Sequence, residues 1–596
     1  MHHGSNLPGV PPILPDYISR CALSLYGYDQ GDLAGLLTNS PFRSEFPQID
    51  TISSPKDSQV AIIQGITVAA WNLACVSSAT ITIFWGDLIG RKNTIFIGLT
   101  FLVVGEIIQC SSYSFGQFIA GRCVAGFGNG FNTATIPAWQ AECTKAHRRG
   151  TLLMISAGAC IAAGISFSYW ISFAFAFLDS SAAWRAPIAI QLAFALVTML
   201  LLTVMPESPR WLILTGREEK ALKTLSALNN LDAKHEQIHA EFLTIKDAVL
   251  EMAQAKISSA FTMGDYRHVH RTILAVVLQI FQQMTGINLI LQYFPLMLIE
   301  QYGYEPWVAR LIAAGAGTEF FLASFVAVVG IDRFWGRRSL MLFGATGMCA
   351  SMVVLCIMAY LDTSYSRIVG TVFLAIFNTF FAIGWQGMSW LYQVEVVPLR
   401  IRGAANALST GANWTVNFVV VFVTPLLFAR IGYRTYIIFA CTNFVIIPVI
   451  YFFYPETGYR CLEEIDVIFH TASLSPNPWL NVRKIAAKQP LWYGRAGDEP
   501  FSYEQSDWHQ QHLGDVTPPE KQVSDSDDRT LTMSTNNPTK LSSTHSMSSP
   551  ERPGVYPEVH GNLPGEEACP APFVPRISSE QPRKSVKRTS VSSWRS

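Results

Sequence analysis

The sequence predicts an all-α membrane protein with twelve transmembrane helices in two six-helix halves. Half of the 596 residues are hydrophobic and only 14% are charged, whereas soluble domains carry roughly 25% charged residues. Apolar segments of about 20 residues, enough to cross a bilayer core of about 30 Å, recur twelve times. Motifs at the ends of the first six segments return at the ends of the last six. These three observations define the predicted fold class.

The apolar segments divide the chain into regions. We place the segments near 17–37, 59–84, 94–113, 115–138, 151–178, 184–205, 271–299, 307–330, 339–361, 366–391, 404–429 and 433–454. The predicted regions are a short N-terminal segment (1–16), an N-terminal half (17–205), a helical bridge (206–270), a C-terminal half (271–454), a post-membrane segment (455–470) and a disordered tail (471–596). The tail is rich in Ser, Thr, Pro and charge, and cannot bury enough apolar surface to offset the entropy of ordering. The first span is the weakest, because Asp16 and Arg20 interrupt its beginning.

Basic residues in the short connections predict the orientation. Lys and Arg cluster on one side of the predicted membrane and are scarce in the opposite connections. Since such residues stay in the cytoplasm, we expect both termini, the bridge and the tail there. The residues on this side are Arg91, Lys92, Lys145, Arg148, Arg149, Arg333, Arg337, Arg338, Arg400 and Arg402.

Charge and cysteine usage exclude several classes of function. Lys plus Arg number 43 and Asp plus Glu number 43, so no basic excess points to nucleic acid as a partner. The 11 Cys residues are scattered singly, which fits neither a disulfide framework nor a zinc site. No nucleophile–base set or Gly-rich phosphate loop stands out. We therefore expect no metal, no cofactor and no enzymatic activity, and a lipid bilayer as the surroundings.

The loop motifs form an internal repeat. "GDLIGRKN" at 86–93 returns as "IDRFWGRRS" at 331–339, and "QAECTKAHRRG" at 140–150 returns as "QVEVVPLRIRG" at 393–403. "PESPRWL" after the sixth span corresponds to "PETGYRCLEE" after the twelfth. Two halves with matching motifs are typical of a transporter built from parallel repeats, which binds its substrate at the midplane between them.

The charges of these motifs have two interpretations. In the first, pairs at the helix ends form a cytoplasmic gate that latches the halves together, with Asp87 opposite Arg91, Glu142 opposite Arg148 or Arg149, Asp332 opposite Arg337 and Arg338, and Glu395 opposite Arg400 or Arg402. Exposed pairs are individually weak, so only a network holds one state by a few kcal/mol. In the second, the cations are topology signals with incidental pairing. For the Glu residues we favour the latch.

Two of the charges inside the predicted spans are possible partners, Asp29 in "GYDQGDLAG" and Arg122 in "GRCVAGFGNG". An intramembrane cation needs a partner, and Asp29 is the obvious candidate. The glycines around Arg122 predict close helix packing. A static pair that only fixes this packing is the alternative to a functional one. Asp32 and Glu319 are further apparently buried carboxylates whose roles the sequence leaves open.

The motifs together resemble the sugar porter family of the major facilitator superfamily, in particular its fungal monosaccharide transporters. Besides those quoted, "PAWQAE", "QIFQQMTGIN" and "WLYQVEVVPLRIRG" carry the resemblance, which covers about 15–470. It implies the major facilitator fold, a plasma-membrane location and alternating-access transport of a hexose, pentose or related polyol as proton symport. In proton-coupled members the first-helix Asp and fourth-helix Arg pair, so Asp29 is expected to hold the proton and Arg122 to control its affinity.

Sugar hydroxyls require amides that donate and accept, together with aromatic faces. The seventh span supplies residues that match sugar-contacting positions of the family, and the tenth and eleventh spans supply further amides and two Trp. Amides that only join helices are the alternative. The expected substrate residues are Gln282, Gln283, Asn288, Tyr293, Trp390, Asn413, Trp414 and Asn417.

The chain departs from the family at two places, and two other functions stay open. Ser156 and Ala157 stand near the usual fifth-helix Gln, so a weaker contribution from the N-terminal half is expected. "GWQGMSW" replaces the usual Pro-rich stretch of the tenth helix, which leaves its hinge uncertain. The alternatives are a facilitative sugar carrier and a sugar sensor that signals through the long C-terminal tail.

Overall fold

The computed structural model describes residues 14–491, apart from residues 56, 145–148, 230, 236–237, 240–241, 244, 247–248, 250–260, 265, 332–334, 399–400 and 461. Twelve long helical elements follow one another in this part of the chain, and we number them α1–α12. Nine are continuous: α1 Leu14–Leu36, α2 Ser58–Ile89, α3 Arg91–Cys110, α4 Phe115–Cys143, α6 Ala182–Thr203, α8 Pro306–Gly330, α9 Arg337–Leu361, α11 Arg402–Ile431 and α12 Thr435–Phe453.

The other three elements are built from shorter pieces. α5 consists of Arg149–Met154, a π-helical turn Ile155–Cys160, and Ile161–Phe175. α7 consists of His268–Met284 and Ile287–Glu300. α10 consists of Ser364–Phe381, a π-helical turn Ala382–Gln386, and Met388–Val396.

The composition of these helices agrees with a membrane protein. Within the described residues, nine segments are long and apolar enough to span a bilayer, and the last of them, Arg402–Phe453, contains both α11 and α12. α1 and α4 are not among these segments; they carry Asp29, Asp32 and Arg122. The order of helices is consistent with the twelve predicted spans.

The N-terminal half packs tightly because small residues line its contacts. A Cβ added to Gly126 of α4 would lie against the Trp71 carbonyl of α2, and one added to Gly164 of α5 would lie against the Ser24 carbonyl of α1. Close approach of this kind is how spanning helices gain packing energy without a hydrophobic driving force. Across the two halves, α2 packs on α11, α5 on α8, and α1 on α7.

The break in α7 is held by backbone geometry and by polar caps. Gly286 has a left-handed conformation (φ +91°), which glycine adopts at low cost. The carbonyls freed at the break are not left bare, since Asn443 donates to Thr285 O at 2.9 Å and Thr442 donates to Met284 O at 2.8 Å. Non-helical backbone at membrane depth requires such partners. Discontinuous helices are where transporters build their substrate sites.

Ordered helices extend beyond the predicted start of the tail. The segments Leu462–Ser473 and Pro478–Lys488 are helical, which corrects the prediction of disorder from residue 471. Trp479 packs on His270 of α7 with ring centroids 3.7 Å apart, and Arg460 donates to the Ala486 carbonyl at 2.6 Å. These contacts supply the burial that composition alone did not reveal. The remainder of the predicted tail, from 492, lies outside the described residues.

Parts of the predicted bridge are helical. Pro209–Leu214 and Glu218–Asn229 are helices. They share a small core of their own with Trp211, Ala221 and Leu225 buried in it.

Candidate functional site

A cavity lies between the two halves, lined by α1, α5, α7, α10 and α11. The space between its lining residues is about 350 Å³, including the part that is open to solvent. Amides and aromatic rings alternate on its wall, which suits a ligand with many hydroxyl groups. We call it the central cavity. Its lining residues are Tyr26, Gln30, Ile161, Gln282, Gln283, Ile287, Asn288, Leu291, Phe381, Gln386, Trp390 and Asn413.

The amides of the central cavity are hydrogen-bonded to one another. Gln30 of α1 donates to Asn288 Oδ1 of α7 at 2.5 Å, and Asn288 in turn donates to Gln283. Asn413 of α11 donates to Gln282 Oε1 at 2.8 Å. The first of these bonds joins the two halves. A primary amide both donates and accepts, so each of these groups is able to exchange an amide partner for a hydroxyl of a ligand.

Five of the predicted substrate residues line the central cavity, and three do not. Tyr293 donates its hydroxyl to the Val421 carbonyl at 3.0 Å and lines a second cavity of about 500 Å³, which we call the outer cavity. Trp414 is fully buried and packs on two other rings. Asn417 is buried but belongs to the lining of neither cavity. The sequence predicts all three as substrate-binding residues, and the structure places none of them in the lining of the central cavity.

The structure adds three polar lining residues that the sequence did not indicate, Tyr26 and Gln30 of α1 and Gln386 of α10. Gln386 lies in the π-helical turn and donates to the Ala157 carbonyl of α5 at 3.4 Å. Ser156 accepts a hydrogen bond from Gln140 at 2.6 Å, inside the N-terminal half. The contribution of the N-terminal half therefore comes from α1, where a Gln beside Asp29 in an apolar span was a usable signal.

The buried ion pair lies on the same helix as this cavity wall. Arg122 Nη1 is 3.2 Å from Asp29 Oδ1, with the two side chains 5% and 3% exposed. The N–H groups of Trp71 and Gln191 also face the Asp29 carboxylate, without reaching hydrogen-bond geometry. The predicted pairing of the two intramembrane charges is thus present, and Asp29 is the immediate neighbour of Gln30.

An aromatic cluster connects the ion pair with the central cavity. The Arg122 guanidinium lies 5.8 Å from the Trp71 ring centroid. Trp71 stacks on Tyr26, a cavity residue, with centroids 6.0 Å apart. Trp414 of the other half meets both rings edge-on, at 5.6 Å from Trp71 and 5.7 Å from Tyr26. The ion pair is therefore linked through these rings to both halves.

Further carboxylates are buried in the spans. Asp32 is 4% exposed and Glu106 of α3 is 1% exposed. The sequence reading singled out Asp32 but missed Glu106, although a carboxylate inside "VVGEIIQC" is the kind of residue that marks function. Glu319 of α8 accepts a hydrogen bond from Thr379 of α10 at 2.5 Å, so it joins two helices of the C-terminal half.

The repeated motifs build the same arrangement of charges in each half. Arg91 lies 3.1 Å from Glu142, and Arg337 lies 3.1 Å from Glu395. Glu207 accepts from the backbone N–H groups of Arg91 and Lys92 at the start of α3, each at 3.0 Å. A carboxylate there satisfies free N–H groups and complements the helix dipole.

The C-terminal half repeats this cap. Glu456 accepts from the N–H groups of Arg337 and Arg338 at the start of α9, at 2.7 and 3.1 Å. Glu207 and Glu456 come from "PESPRWL" and "PETGYRCLEE", so the structure gives these motifs a role that the sequence reading had not assigned. We call the side of the molecule with these groups the charged face.

Two ion pairs at the charged face were not among the predicted ones. Both join two helices of the same half, with Glu142 held by Arg91 and Glu395 by Arg337. The guanidinium of Arg402 donates to the Val397 carbonyl at 3.3 Å, and that of Arg338 to the Tyr451 carbonyl at 2.8 Å. The predicted latch charges outside the described residues or side chains are Asp87, Arg148, Arg149, Asp332 and Arg400.

Contacts between the halves also occur at the opposite face, where α1 ends and α2 begins. Thr51 donates to Glu300 at 2.5 Å and Arg310 donates to Thr38 at 2.9 Å. Arg430 donates to Ser58 at 2.8 Å. The outer cavity lies beside these contacts, with Thr51, Gln64, Tyr293, Glu300 and Thr424 among its lining residues.

Comparison with known proteins identifies the family. Residues 18–469 match the family described as "Sugar (and other) transporter". The chain is similar to the sugar transporter STL1 of Saccharomyces cerevisiae, with 36% identity over 77% of this chain and 82% of that protein. It is also similar to the major facilitator superfamily transporter mfsA of Aspergillus fumigatus, with 34% identity over 75% of this chain and 84% of that protein.

A solved structure shows the same fold. The proton:xylose symporter XylE, bound to 6-bromo-6-deoxy-D-glucose, superposes with a TM-score of 0.65 at 23% identity, over 77% of this chain and 98% of that one. Fold, cavity and matches together define a transporter of the major facilitator superfamily. The chain belongs to the sugar (and other) transporter family. It is an integral, multi-pass membrane protein and not an enzyme.

Proposed function

We propose that the chain carries a monosaccharide, either a hexose or a pentose, or a related polyol across the plasma membrane by alternating access and as proton symport. The observation that carries the proposal is the position of Asp29. Its carboxylate is buried against Arg122 at 3.2 Å, and its neighbour Gln30 lines the central cavity. One helix thus presents a titratable group on one side and a substrate-facing amide on the other.

The geometry suggests how the two events are linked. A nearby guanidinium favours the ionised carboxylate, whereas burial favours the neutral one, so separating Asp29 from Arg122 favours protonation. Gln30 donates to Asn288 at 2.5 Å across the halves. A shift of α1 that separates the ion pair also breaks or remakes this contact. Proton binding and the relative position of the halves are coupled in this way through α1.

The assignment of substrate class rests on the chemistry of the cavity. Gln282, Gln283, Asn288 and Asn413 supply planar amides, and Trp390 supplies an aromatic face. Amides recognise hydroxyls without requiring charge, and the charged side chains described above lie outside the cavity lining. The names of the relatives support this assignment: STL1 is a sugar transporter and XylE is a proton:xylose symporter. We place both termini and the charged face in the cytoplasm, in accordance with the basic residues of that face.

Asp29→Asn in reconstituted vesicles tests the proposal. With an imposed pH gradient and D-glucose, D-xylose and D-sorbitol as substrates, the parent should concentrate at least one of them and move protons in step. Asp29→Asn should abolish this accumulation and spare counterflow down a gradient, because a neutral amide of the same shape removes only the charge change. Arg122 then loses its partner, so thermal stability in detergent is checked first.

The matched control is Asp362→Asn. Asp362 is an exposed aspartate paired with Arg367, and Asn accepts its left-handed backbone. This variant should accumulate substrate like the parent. Accumulation by Asp29→Asn would reduce the ion pair to a structural role, and a parent that exchanges sugar without moving protons would be a facilitative carrier.

A further inference from the structure

Three carboxylates and one guanidinium share the interior of the N-terminal half. Asp29 and Asp32 project from α1, Glu106 from α3 and Arg122 from α4, and none is more than 4% exposed. Arg122 pairs with Asp29 at 3.2 Å. Its charge also acts on Asp32 and Glu106, and the carboxylates act on one another. We call these four residues the acidic cluster.

The charges of the cluster do not balance if all three carboxylates are ionised. One guanidinium offsets one carboxylate, and two uncompensated charges would then be buried at a cost of several kcal/mol each. Tyr28 lies near Asp32 and Glu106, and Cys110 lies between Glu106 and Arg185. The other titratable or polar groups around the cluster are Tyr26, Trp71, Cys75 and Gln191 near Asp29, and Cys123 and Tyr293 near Arg122. Arg185, at the helix end, donates to the Ser112 carbonyl at 2.7 Å. The cluster is therefore neutral only if it holds protons.

Unpartnered polar atoms indicate which residues of the acidic cluster hold the protons. Within the described residues, Glu106 Oε1 and Asp32 Oδ1 are buried and have no hydrogen-bond partner. The amide of Gln109, one helical turn beyond Glu106, likewise has an unpartnered Nε2. Buried groups of this kind are normally satisfied by ordered water or by a shared proton. These atoms belong to, or lie near, the two carboxylates that are not paired with Arg122.

The order of these groups along the helices gives the cluster a direction. α1 ends at Leu36 and α3 ends at Cys110, both at the opposite face. At about 1.5 Å per residue, Asp29 lies roughly 10 Å from that end, and Asp32 and Glu106 lie roughly 6 Å from it. Asp32 and Glu106 thus stand between Asp29 and the opposite face. Neither residue belongs to the lining of the central or the outer cavity.

We propose that Glu106 and Asp32 form a proton relay inside the N-terminal half, which stores protons and passes them between the opposite face and Asp29, separately from the substrate. In the forward step Glu106 gives its proton to ionised Asp29, Asp32 reprotonates Glu106, and water at the opposite face reprotonates Asp32. Only protons move, and the reverse sequence releases them. The proposal rests on proton symport, because a relay to Asp29 serves a purpose only if Asp29 exchanges its proton.

Infrared difference spectroscopy tests the stored proton without any substrate. Spectra of the purified parent at successive pH values should show a carboxylic-acid C=O band that persists at a pH where exposed carboxylates are ionised. Glu106→Gln and Asp32→Asn should each reduce this band. Glu305→Gln, which removes an exposed carboxylate at the start of α8, is the matched control and should leave the band unchanged.

Transport measurements in vesicles test the relay. With whichever of D-glucose, D-xylose or D-sorbitol the parent accumulates, Glu106→Gln should lower the rate of proton-driven uptake by roughly tenfold or more, since a positioned group that transfers protons is lost. Counterflow should stay within twofold of the parent, which also shows that the variant is folded. Glu106→Asp, which keeps a titratable group, should restore part of the rate. Asp32→Asn tests the relay independently, should Glu106→Gln fail to fold.

The outcomes separate the relay from the proposed function. A Glu106→Gln variant with the parent's band and the parent's proton-driven uptake would overturn the relay while symport stands. A parent that shows the band but moves sugar without protons would overturn symport, and with it the relay. Glu106 would then be a buried group that holds a proton without transferring it. Loss of the band and of proton-driven uptake together, with counterflow retained, supports the relay.

Discussion

At the scale of single residues, the distinction between a cavity amide and a buried amide decides which side chain binds substrate. Gln282 and Asn417 are both buried polar residues that the sequence placed in the site. Gln282 faces the central cavity and accepts from Asn413 at 2.8 Å. Asn417, one turn beyond Asn413 on α11, belongs to the lining of neither cavity. Their substitutions should therefore have different effects.

Gln282→Ala should weaken substrate binding by about 1–3 kcal/mol, or roughly five- to 150-fold, because a polar contact to the substrate is lost. Asn413 then keeps only one of its two amide acceptors, Gln279. Equilibrium binding of D-glucose, D-xylose and D-sorbitol to purified protein measures this. Asn417→Ala is the matched control: it should lower thermal stability and leave the affinity within twofold. Tight binding by Gln282→Ala would place the site elsewhere.

Sequence reasoning at this scale succeeded where chemistry alone restricts the choice. An intramembrane Arg must have a partner, and Asp29 was the residue that offered one. Glu106 is also an intramembrane charge that needs partners. It was missed because no sequence motif connects it with Asp29, Asp32 or Arg122. Tyr293 and Trp414 lie outside the lining of the central cavity, and their orientation depends on the break at Gly286 and on the packing of Trp71, which the sequence does not specify.

At the scale of elements, three helices near the cavity depart from regular α-helix. α5 and α10 contain π-helical turns, and α7 is interrupted at Gly286. A π-helical turn shifts the register of a helix and is frequent at functional sites. In α10 it includes Gln386, so the chain obtains a local irregularity without the Pro-rich stretch of the family. The hydropathy pattern predicts where helices lie but carries no sign of these breaks.

Gly286→Ala should destabilise the protein by at least roughly 1–2 kcal/mol, the strain of a left-handed residue with a side chain. The added Cβ would also meet the Phe439 ring at 2.8 Å. Thermal unfolding in detergent and uptake in vesicles should both decline. Gly411→Ala is the control, since a Cβ at Gly411 meets nothing within 4 Å and Ala favours a helix. Equal stability of the two variants would show that the break in α7 is not required.

At the scale of the whole molecule, the duplicated charges act within each half. The sequence predicts pairs between residues close along the chain, most of which involve charges outside the described residues, and the structure adds pairs between residues far apart along the chain. α3 and α4 are antiparallel neighbours. The start of one therefore meets the end of the other, and Arg91 reaches Glu142. The same holds for Arg337 and Glu395. The charged networks therefore join helices within each half at the charged face.

Glu142→Gln and Glu395→Gln should each slow transport several-fold and leave equilibrium affinity within twofold, because these groups influence the balance of states without touching substrate. Counterflow rates and binding measured on the same preparations separate the two effects. Glu219→Gln, at an exposed position of the bridge, should behave as the parent. Unchanged turnover in both gate variants would leave the charges as topology signals.

The outer cavity has a pharmacological consequence. It is bordered by Thr51 and Gln64 of the N-terminal half and by Tyr293 and Glu300 of the C-terminal half, so its walls separate whenever the halves part on that side. A small molecule seated there would have to leave before the carrier could change state, and it would stabilise the present arrangement according to its concentration. An inhibitor built for this space would be non-competitive with sugar and selective for one state. Its selectivity among related carriers would depend on the loop residues around Thr51 and not on the substrate-binding amides.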